Sequence, residues 1–217
     1  MFDAIIYINL KHRTDRNRDI LEQIKKINMT VPIHRINAVL EPMCGHIGCG
    51  KSHILALELA IKNNYSSVLI LEDDFIFTED YDENSFSKIK NIEWDVILLA
   101  KGFCNSVETE YPFLKRINWA TTTSGYIVKQ HYYNILLENF TQSVIKMEQE
   151  FKKHSEKCIS NNLPVTKLHI CSAIDQYWHS LQRKDIFYIY EPPIGKQSNS
   201  WSDNNYPIEY QKKYLVV

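Results

Sequence analysis

The sequence predicts a single α/β domain, built on a mostly parallel or mixed central sheet with helices on both faces. Three observations predict it. Residues 4–9, 68–71 and 94–99 are almost unbroken apolar runs of strand length, as expected of strands covered on both faces. Between such runs lie segments whose apolar residues recur every three or four positions, the period of a helix packed on a sheet. No internal repeat or low-complexity linker divides the 217 residues, of which 44% are hydrophobic, so one full core is affordable and one domain over 1–217 is the economical reading.

The elements follow in order. Residues 4–9 read as the first strand. Thr14 or Asp15 can cap the helix after it, with Ile20, Ile24 and Ile27 on one face. Residues 33–39 form a second strand. A stretch with Gly45, Gly48 and Gly50 implies tight backbone or close approach to a ligand, and a helix is expected over 51–63. Ser52 and His53 then fall in its first turn, where free amides and the positive dipole end lie. After the strand at 68–71, residues 79–91 read as a loop with a short helix, and 94–99 as a strand. Residues 103–116 look irregular. Residues 121–128 mix hydroxyls with a strand, followed by helices over 130–139 and 142–154 and a polar loop over 155–168. A helix over 173–182 and a strand over 186–190 complete the order, Pro192 and Pro193 closing the strand. The segment 142–168 reads as a possible helical insert, and 195–217 as a mobile surface segment unless a ligand holds it.

Charge and cysteine content exclude some classes. A formal net charge of -1 offers no global field for nucleic acid or acidic lipid, so an anionic ligand must be held by local basic groups. The sequence has no apolar run long enough to span a bilayer, and Met1 to Asp3 open directly into a strand without a signal-peptide pattern. The five cysteines (Cys44, Cys49, Cys104, Cys158 and Cys171) lack CxxC spacing and read as reduced thiols, so a cytoplasmic location is expected.

Chemistry concentrates where the strand at 68–71 runs into Glu72, Asp73 and Asp74. Three adjacent charges do not enter a core without compensation, but the carboxyl end of a sheet strand is where α/β proteins hold ligands. Alternation along an extended segment makes Glu72 and Asp74 project together and Asp73 the other way. Two hard carboxylates on one side form half a site for Mg²⁺ or Mn²⁺, with a phosphorylated ligand supplying further oxygens. The same residues also suit a solvated acidic turn. Arg13 and Arg16, between the first strand and its helix, suit a phosphate or a solvated turn pairing with Asp15 or Asp19.

Several stretches together resemble glycosyltransferase family 25. Ile8-Asn9-Leu10 with Arg13, Asp15 and Arg16 is similar to its opening motif, and residues 45–53 to its G-x-I-G-C-x-x-S-H block. Glu72-Asp73-Asp74 matches its acidic motif, Trp94-Asp95-Val96 the next strand, and residues 122–128 the hydroxyl-rich strand beyond. Asp175, and then Pro193, Gln197, Ser202 and Asp203, fit its last two blocks. The resemblance covers nearly the whole chain, apart from 142–168, and Lys196-Gln197 stands where a histidine would be a clearer metal ligand. It implies a GT-A-like fold and an inverting transferase using a UDP-sugar with Mn²⁺ (or Mg²⁺). The family contains lipopolysaccharide glycosyltransferases and procollagen galactosyltransferases, so it implies galactose or glucose as the hexose. The acceptor would be a glycan or a hydroxylysine-type hydroxyl.

On that reading Glu72 and Asp74 hold the metal. Asn9, Leu10, Arg13, Arg16, Ser52, His53, Asp73, Thr122, Ser124, Gln197, Ser202 and Asp203 bind the donor. Inversion needs a separate base facing the acceptor, and Asp175 is the best-placed carboxylate, with helix capping as its other reading and His179 able to orient it. Two other classes remain. A phosphoryl-transfer enzyme could use strand-end carboxylates, although no Walker motif or nucleophilic aspartate appears. A nucleotide-sugar-binding protein without transferase activity would keep Glu72 and Asp74 and dispense with Asp175.

Overall fold

In a computed structural model the chain is described at residues 2–42, 44–163, 165 and 172–198. β1 (Ala4–Asn9) is followed by α1 (Thr14–Lys25), β2 (Ile33–Asn37), α2 (Gly45–Lys62), β3 (Ser67–Glu72) and β4 (Phe75–Phe77). Next come β5 (Val96–Leu98), β6 (Cys104–Glu108), β7 (Leu114–Ala120) and β8 (Gly125–Lys129). A 3-10 turn leads into α3 (Tyr133–Ser160), and α4 (Ile174–Tyr177), α5 (His179–Lys184), β9 (Phe187–Tyr190) and β10 (Gly195–Gln197) complete the described residues.

Eight strands form one mixed sheet in the order β2-β1-β3-β8-β5-β9-β7-β6, and β10 pairs with β4 in a small second sheet. β1 runs parallel to both β2 and β3, in register Ile8 to Ile36 and Ile8 to Glu72. β8 is antiparallel to β3 and β5, and β9 is parallel to β5. The expected α/β class therefore holds, with a mixed sheet.

Each central strand is buried on both sides, which explains the unbroken apolar runs. Ile6, Ile70, Leu98 and Tyr126 face a core closed by Leu57 of α2, Phe140 of α3 and Trp178. Ile5, Leu69, Leu71, Ile97 and Ile127 face a second core closed by Ile20 and Ile24 of α1 and by Phe86 and Ile89. Helices thus cover both faces.

Several expected boundaries move. Residues 103–116 are not irregular: β6 and β7 pair, but a bulge at Asn105/Ser106 breaks the alternation. α2 begins six residues earlier than expected, so its glycines belong to a helix rather than a loop. A Cβ on Gly48 would strike the Val39 carbonyl, and one on Gly50 would come within 2.6 Å of Val144 Cγ2, so both glycines allow close packing. α3 is continuous from 133 to 160 where two helices and a loop are expected. Its Val144 and Met147 pack on Ile47 and Ala173, so the first part of the expected insert is core. Residues 164 and 166–168 of that span lie outside the described residues. The expected helix over 173–182 breaks at Trp178, and the expected mobile tail begins as a paired strand, β10. The rest of that tail, from 199, lies outside the described residues.

Candidate active site

The parallel strands β1 and β3 end at one edge of the sheet. The chain leaves β1 toward β2 on one side and returns to β3 on the other, so a crevice opens between their ends. Asn9, the last residue of β1, is buried, and its amide donates to Asp73 Oδ2 at 2.7 Å and to the Arg13 carbonyl at 3.1 Å. Arg35 Nη2 donates to Asn9 Oδ1 at 2.6 Å. Arg16, on the first turn of α1, donates to Asp73 Oδ1 at 2.9 Å and lies 3.8 Å from Asp74 Oδ2. Burial pushes the Asp73 carboxyl up, and its bonds to Asn9 and Arg16 oppose that push.

Glu72 is oriented from beneath. Thr123 Oγ1 donates to Glu72 Oε1 at 2.7 Å, and His53 Nε2 lies 3.2 Å from the same oxygen. His53 is fully buried on α2, stacked on Tyr126, whose hydroxyl lies 3.0 Å from Nδ1. Burial raises the Glu72 pKa, but His53 and Thr123 outweigh it and the net shift is downward. Asp74 is less fully compensated, although the Gln197 side chain bonds to it. Burial first, then the neighbouring Glu72 charge, push its carboxyl up to about 7, with Arg16 opposing. Its Oδ1 is buried and, among the described residues, accepts no hydrogen bond.

Across the crevice, the turn between β7 and β8 and the first turn of α4 form a second wall. Thr122 has φ 81, a left-handed conformation that a β-branched residue adopts only under constraint. Its N–H donates to Asp175 Oδ2 at 3.1 Å. Glu72, Asp74, Thr122, Asp175 and Gln197 all line one cleft of about 450 Å³, with Phe103 at its wall, 79% exposed.

Against this geometry, the family model of glycosyltransferase family 25 (LPS biosynthesis protein) matches residues 42–172. The chain belongs to glycosyltransferase family 25. Among solved structures, UDP-glucose pyrophosphorylase complexed with UDP-glucose aligns with a TM-score of 0.51 at 8% identity, covering 99% of each chain. A glycosyltransferase involved in the glycosylation of the major capsid of PBCV-1 aligns with a TM-score of 0.47 at 12% identity, covering 99% of this chain and 98% of that one. A197 from STIV aligns with a TM-score of 0.48 at 12% identity, over 93% of this chain and 96% of that one. At such identities the likeness speaks to the fold alone, which is GT-A-like. Among curated protein sequences, none matches the chain.

In this family 25 glycosyltransferase the expected site residues part into groups. Glu72, Asp74, Asp175, Thr122 and Gln197 share the larger cleft. Asn9, Leu10, Arg16, Ser52 and Asp73 line a narrower pocket beside it, which Glu72 and Asp74 also border. Ser52 and His53 do not stand in a first turn, because α2 starts at Gly45. Ser52 is fully buried, its hydroxyl donating to the Gly48 carbonyl and accepting from Val39 N–H, which ties α2 to the segment after β2. His53 serves Glu72 rather than facing a ligand. Ser124 is also fully buried, and its carbonyl accepts from Glu72 N–H. Arg13 pairs with the exposed Asp15 at 3.0 Å while Arg16 turns to the acidic cluster, so the two arginines separate. His179 does not orient Asp175; the Thr122 backbone holds that carboxylate instead. Ser202 and Asp203 lie outside the described residues.

Cys49, Thr123, Tyr126 and Phe103 also belong to the site and carry no expected role in the sequence. For Cys49 a signal exists: it stands four residues before His53, on the same helix face. Burial and the charges of Glu72, Asp175 and Asp74 push its thiol well up. Cys49, His53 and Glu72 place ligand atoms within 4.8 Å of one another. The imidazole of His53 is turned to Glu72 and supports that carboxylate, while the Cys49 thiol bonds with Thr123. The fit to a hard divalent cation lies instead in Glu72 and Asp74. Asp74 Oδ1 is buried without a donor, and its ionisation is opposed by Glu72, a burden that a cation between the two would lift.

No helix among the described residues is long and apolar enough to cross a membrane.

Proposed function

We propose that this glycosyltransferase is a metal-dependent, inverting enzyme that moves a hexose, galactose or glucose, from a UDP-sugar to a hydroxyl of a glycan or hydroxylysine-type acceptor. The observation that carries the reading is the convergence of Glu72, Asp74 and Asp175 on one cleft, with Asp74 Oδ1 buried and lacking a hydrogen-bond donor among the described residues. Glu72 and Asp74 would hold Mn²⁺ or Mg²⁺, which when bound supplies Lewis-acid charge for the departing diphosphate. Arg16, already beside Asp73 and Asp74, adds fixed positive charge on that side. The pocket lined by Asn9 and Leu10 takes the nucleotide.

Asp175 is the base. Its Oδ2 is held by Thr122 N–H, which sets the orientation of the carboxylate in the cleft. The acceptor oxygen forms a bond to the anomeric carbon, the bond from that carbon to the diphosphate oxygen breaks, and Asp175 takes the acceptor's proton. A cytoplasmic location is part of this reading, supported by the free thiols of Cys44, Cys49, Cys104 and Cys158.

UDP release from UDP-galactose and UDP-glucose, measured with Mn²⁺ and with EDTA, tests the proposal, since transferases pass sugar slowly to water. Release and a thermal shift that both require Mn²⁺ are expected. Equal release in EDTA would remove the metal from the reading. A Mn²⁺-dependent shift without any release, even with acceptors, would leave a nucleotide-sugar-binding protein.

A further inference from the structure

We propose that Phe103 is the platform for the acceptor in the catalytic cleft, its aromatic face taking the C–H face of the sugar ring whose hydroxyl is glycosylated. The proposal rests on the transferase reading and narrows its acceptor to a glycan. Phe103 is 79% exposed, the highest value of any large hydrophobic side chain among the described residues. Every other Phe, Tyr and Trp among them is buried or half-buried. A single apolar residue on an open surface needs no explanation, but this ring stands in the wall of the cleft that holds Glu72, Asp74 and Asp175.

The backbone beneath the ring is fixed. Phe103 N–H donates to Thr121 Oγ1 at 2.9 Å, and its carbonyl accepts from Thr121 N–H at 2.9 Å. Gly102 N–H donates to the Thr121 carbonyl at 3.2 Å. A Cβ on Gly102 would lie 2.5 Å from Thr121 Oγ1, so glycine lets the two segments close on each other. A ligand stacking on a ring carried by such a clamp orders little further, which favours its binding.

The same clamp ties the ring to the base. Thr121 precedes Thr122, whose N–H holds Asp175 Oδ2, so one turn sets both Phe103 and Asp175. Phe103 does not border the narrower pocket of Asn9 and Leu10, which meets the cleft at Cys49, Glu72 and Asp74. The ring therefore belongs to the acceptor wall rather than to the nucleotide side.

The pairing of groups on that wall selects the occupant. A pyranose presents a face of C–H groups and a rim of hydroxyls; an aromatic ring takes the first and a carboxylate the second. Phenylalanine offers surface without a hydrogen bond of its own. An ammonium beside the reacting hydroxyl, as in hydroxylysine, would also be drawn to the ring. It would pair with Asp175, however, and hold that carboxylate charged, which weakens it as a base. A neutral sugar leaves the base its strength.

UDP release from UDP-galactose and UDP-glucose with Mn²⁺ tests this, with lactose, maltotriose and free hydroxylysine offered as acceptors. At least one of the two saccharides should accelerate release and saturate. Phe103→Leu keeps an apolar side chain but loses the ring face, and should raise the KM for that saccharide about tenfold. Phe103→Tyr should restore it, which shows that the ring and not the fold is at issue. Saturation-transfer NMR of the same saccharides, with UDP and Mg²⁺, reads binding without the reaction. Saccharide signals are expected with the wild type and Phe103→Tyr and should fade with Phe103→Leu. Signals that persist in Phe103→Leu, no signal from either saccharide, or acceleration by hydroxylysine alone would each overturn the proposal. Ring-dependent saccharide signals from a protein that releases no UDP would instead sink the transferase reading and leave the platform standing.

Discussion

The two walls of the catalytic cleft are built differently. The wall at the ends of β1 and β3 is dense with charge and over-determined: Asp73 is held by Asn9 and Arg16, and Glu72 by Thr123 and His53. The facing wall rests on little. Among the described residues the Asp175 carboxylate makes one hydrogen bond, to the N–H of a residue in left-handed backbone. On the proposed reading, a wall that would hold a cation and a leaving diphosphate needs charges fixed before the reaction. A base that would follow an incoming hydroxyl needs an oxygen left over.

The largest expected effect tests that division on the acceptor side. Asp175→Asn keeps an oxygen for Thr122 N–H and removes the basicity. Transfer should fall roughly 10²–10⁴-fold, while UDP binding with Mn²⁺, followed by calorimetry, stays as in the wild type. Near-wild-type transfer would move the base elsewhere, with Asp203 next to be tried.

On the donor side the expected effect is one of stability and runs with pH. Asp74 has its folded pKa raised to about 7, so the folded chain holds this proton more tightly than the unfolded one. Its contribution is fully present below about pH 4 and is lost as pH rises through 7. In EDTA, Asp74→Asn should therefore match the wild type near pH 4 and become the more stable protein toward pH 8, by at most about 4 kcal/mol. Mn²⁺ should erase the advantage by stabilising only the wild type. A pH-independent difference in melting temperature would show that the carboxylates do not strain one another.

A smaller effect is expected beneath Glu72. His53→Phe keeps a ring between Tyr126 and Phe140 but removes the group that orients Glu72 Oε1. Mn²⁺ affinity should drop about 10–100-fold, the usual cost of losing a group that orients a metal ligand. An unchanged affinity would reduce His53 to packing.

The difference between the walls also explains what the sequence made legible. The central strands announce themselves because burial on both faces demands unbroken apolar runs, and Glu72 to Asp74 stand out because such a run ends in charge. The acceptor side has no such marker. β7 buries Leu114, Ile117 and Ala120, a spacing of three that does not read as a strand. The start of α2 is hidden because glycine disfavours helix, and only the contacts with Val39 and Val144 show why glycine is needed there. Ser52 and His53 are recognisable as a motif, but their roles depend on which turn of the helix they occupy.

The smallest effect separates the walls by their backbone. A β-branched residue at φ 81 costs on the order of 1–3 kcal/mol, and Thr122 bears that cost where its N–H must point at Asp175. Glycine adopts the same φ freely but loses roughly 0.5–1 kcal/mol through the extra freedom of the unfolded chain. Thr122→Gly should therefore leave stability unchanged or raise it by about 1 kcal/mol in a urea melt. The neighbouring Thr123 has no positive φ and donates to Glu72, so Thr123→Gly should be destabilising. The pair of variants compares one threonine that strains the acceptor wall with one that braces the donor wall. If both were destabilising by the same amount, Thr122 would be an ordinary turn residue and its conformation no device for aiming Asp175. If Thr122→Gly is stable but transfers sugar more slowly, with UDP binding intact, the strained backbone is what aims the carboxylate.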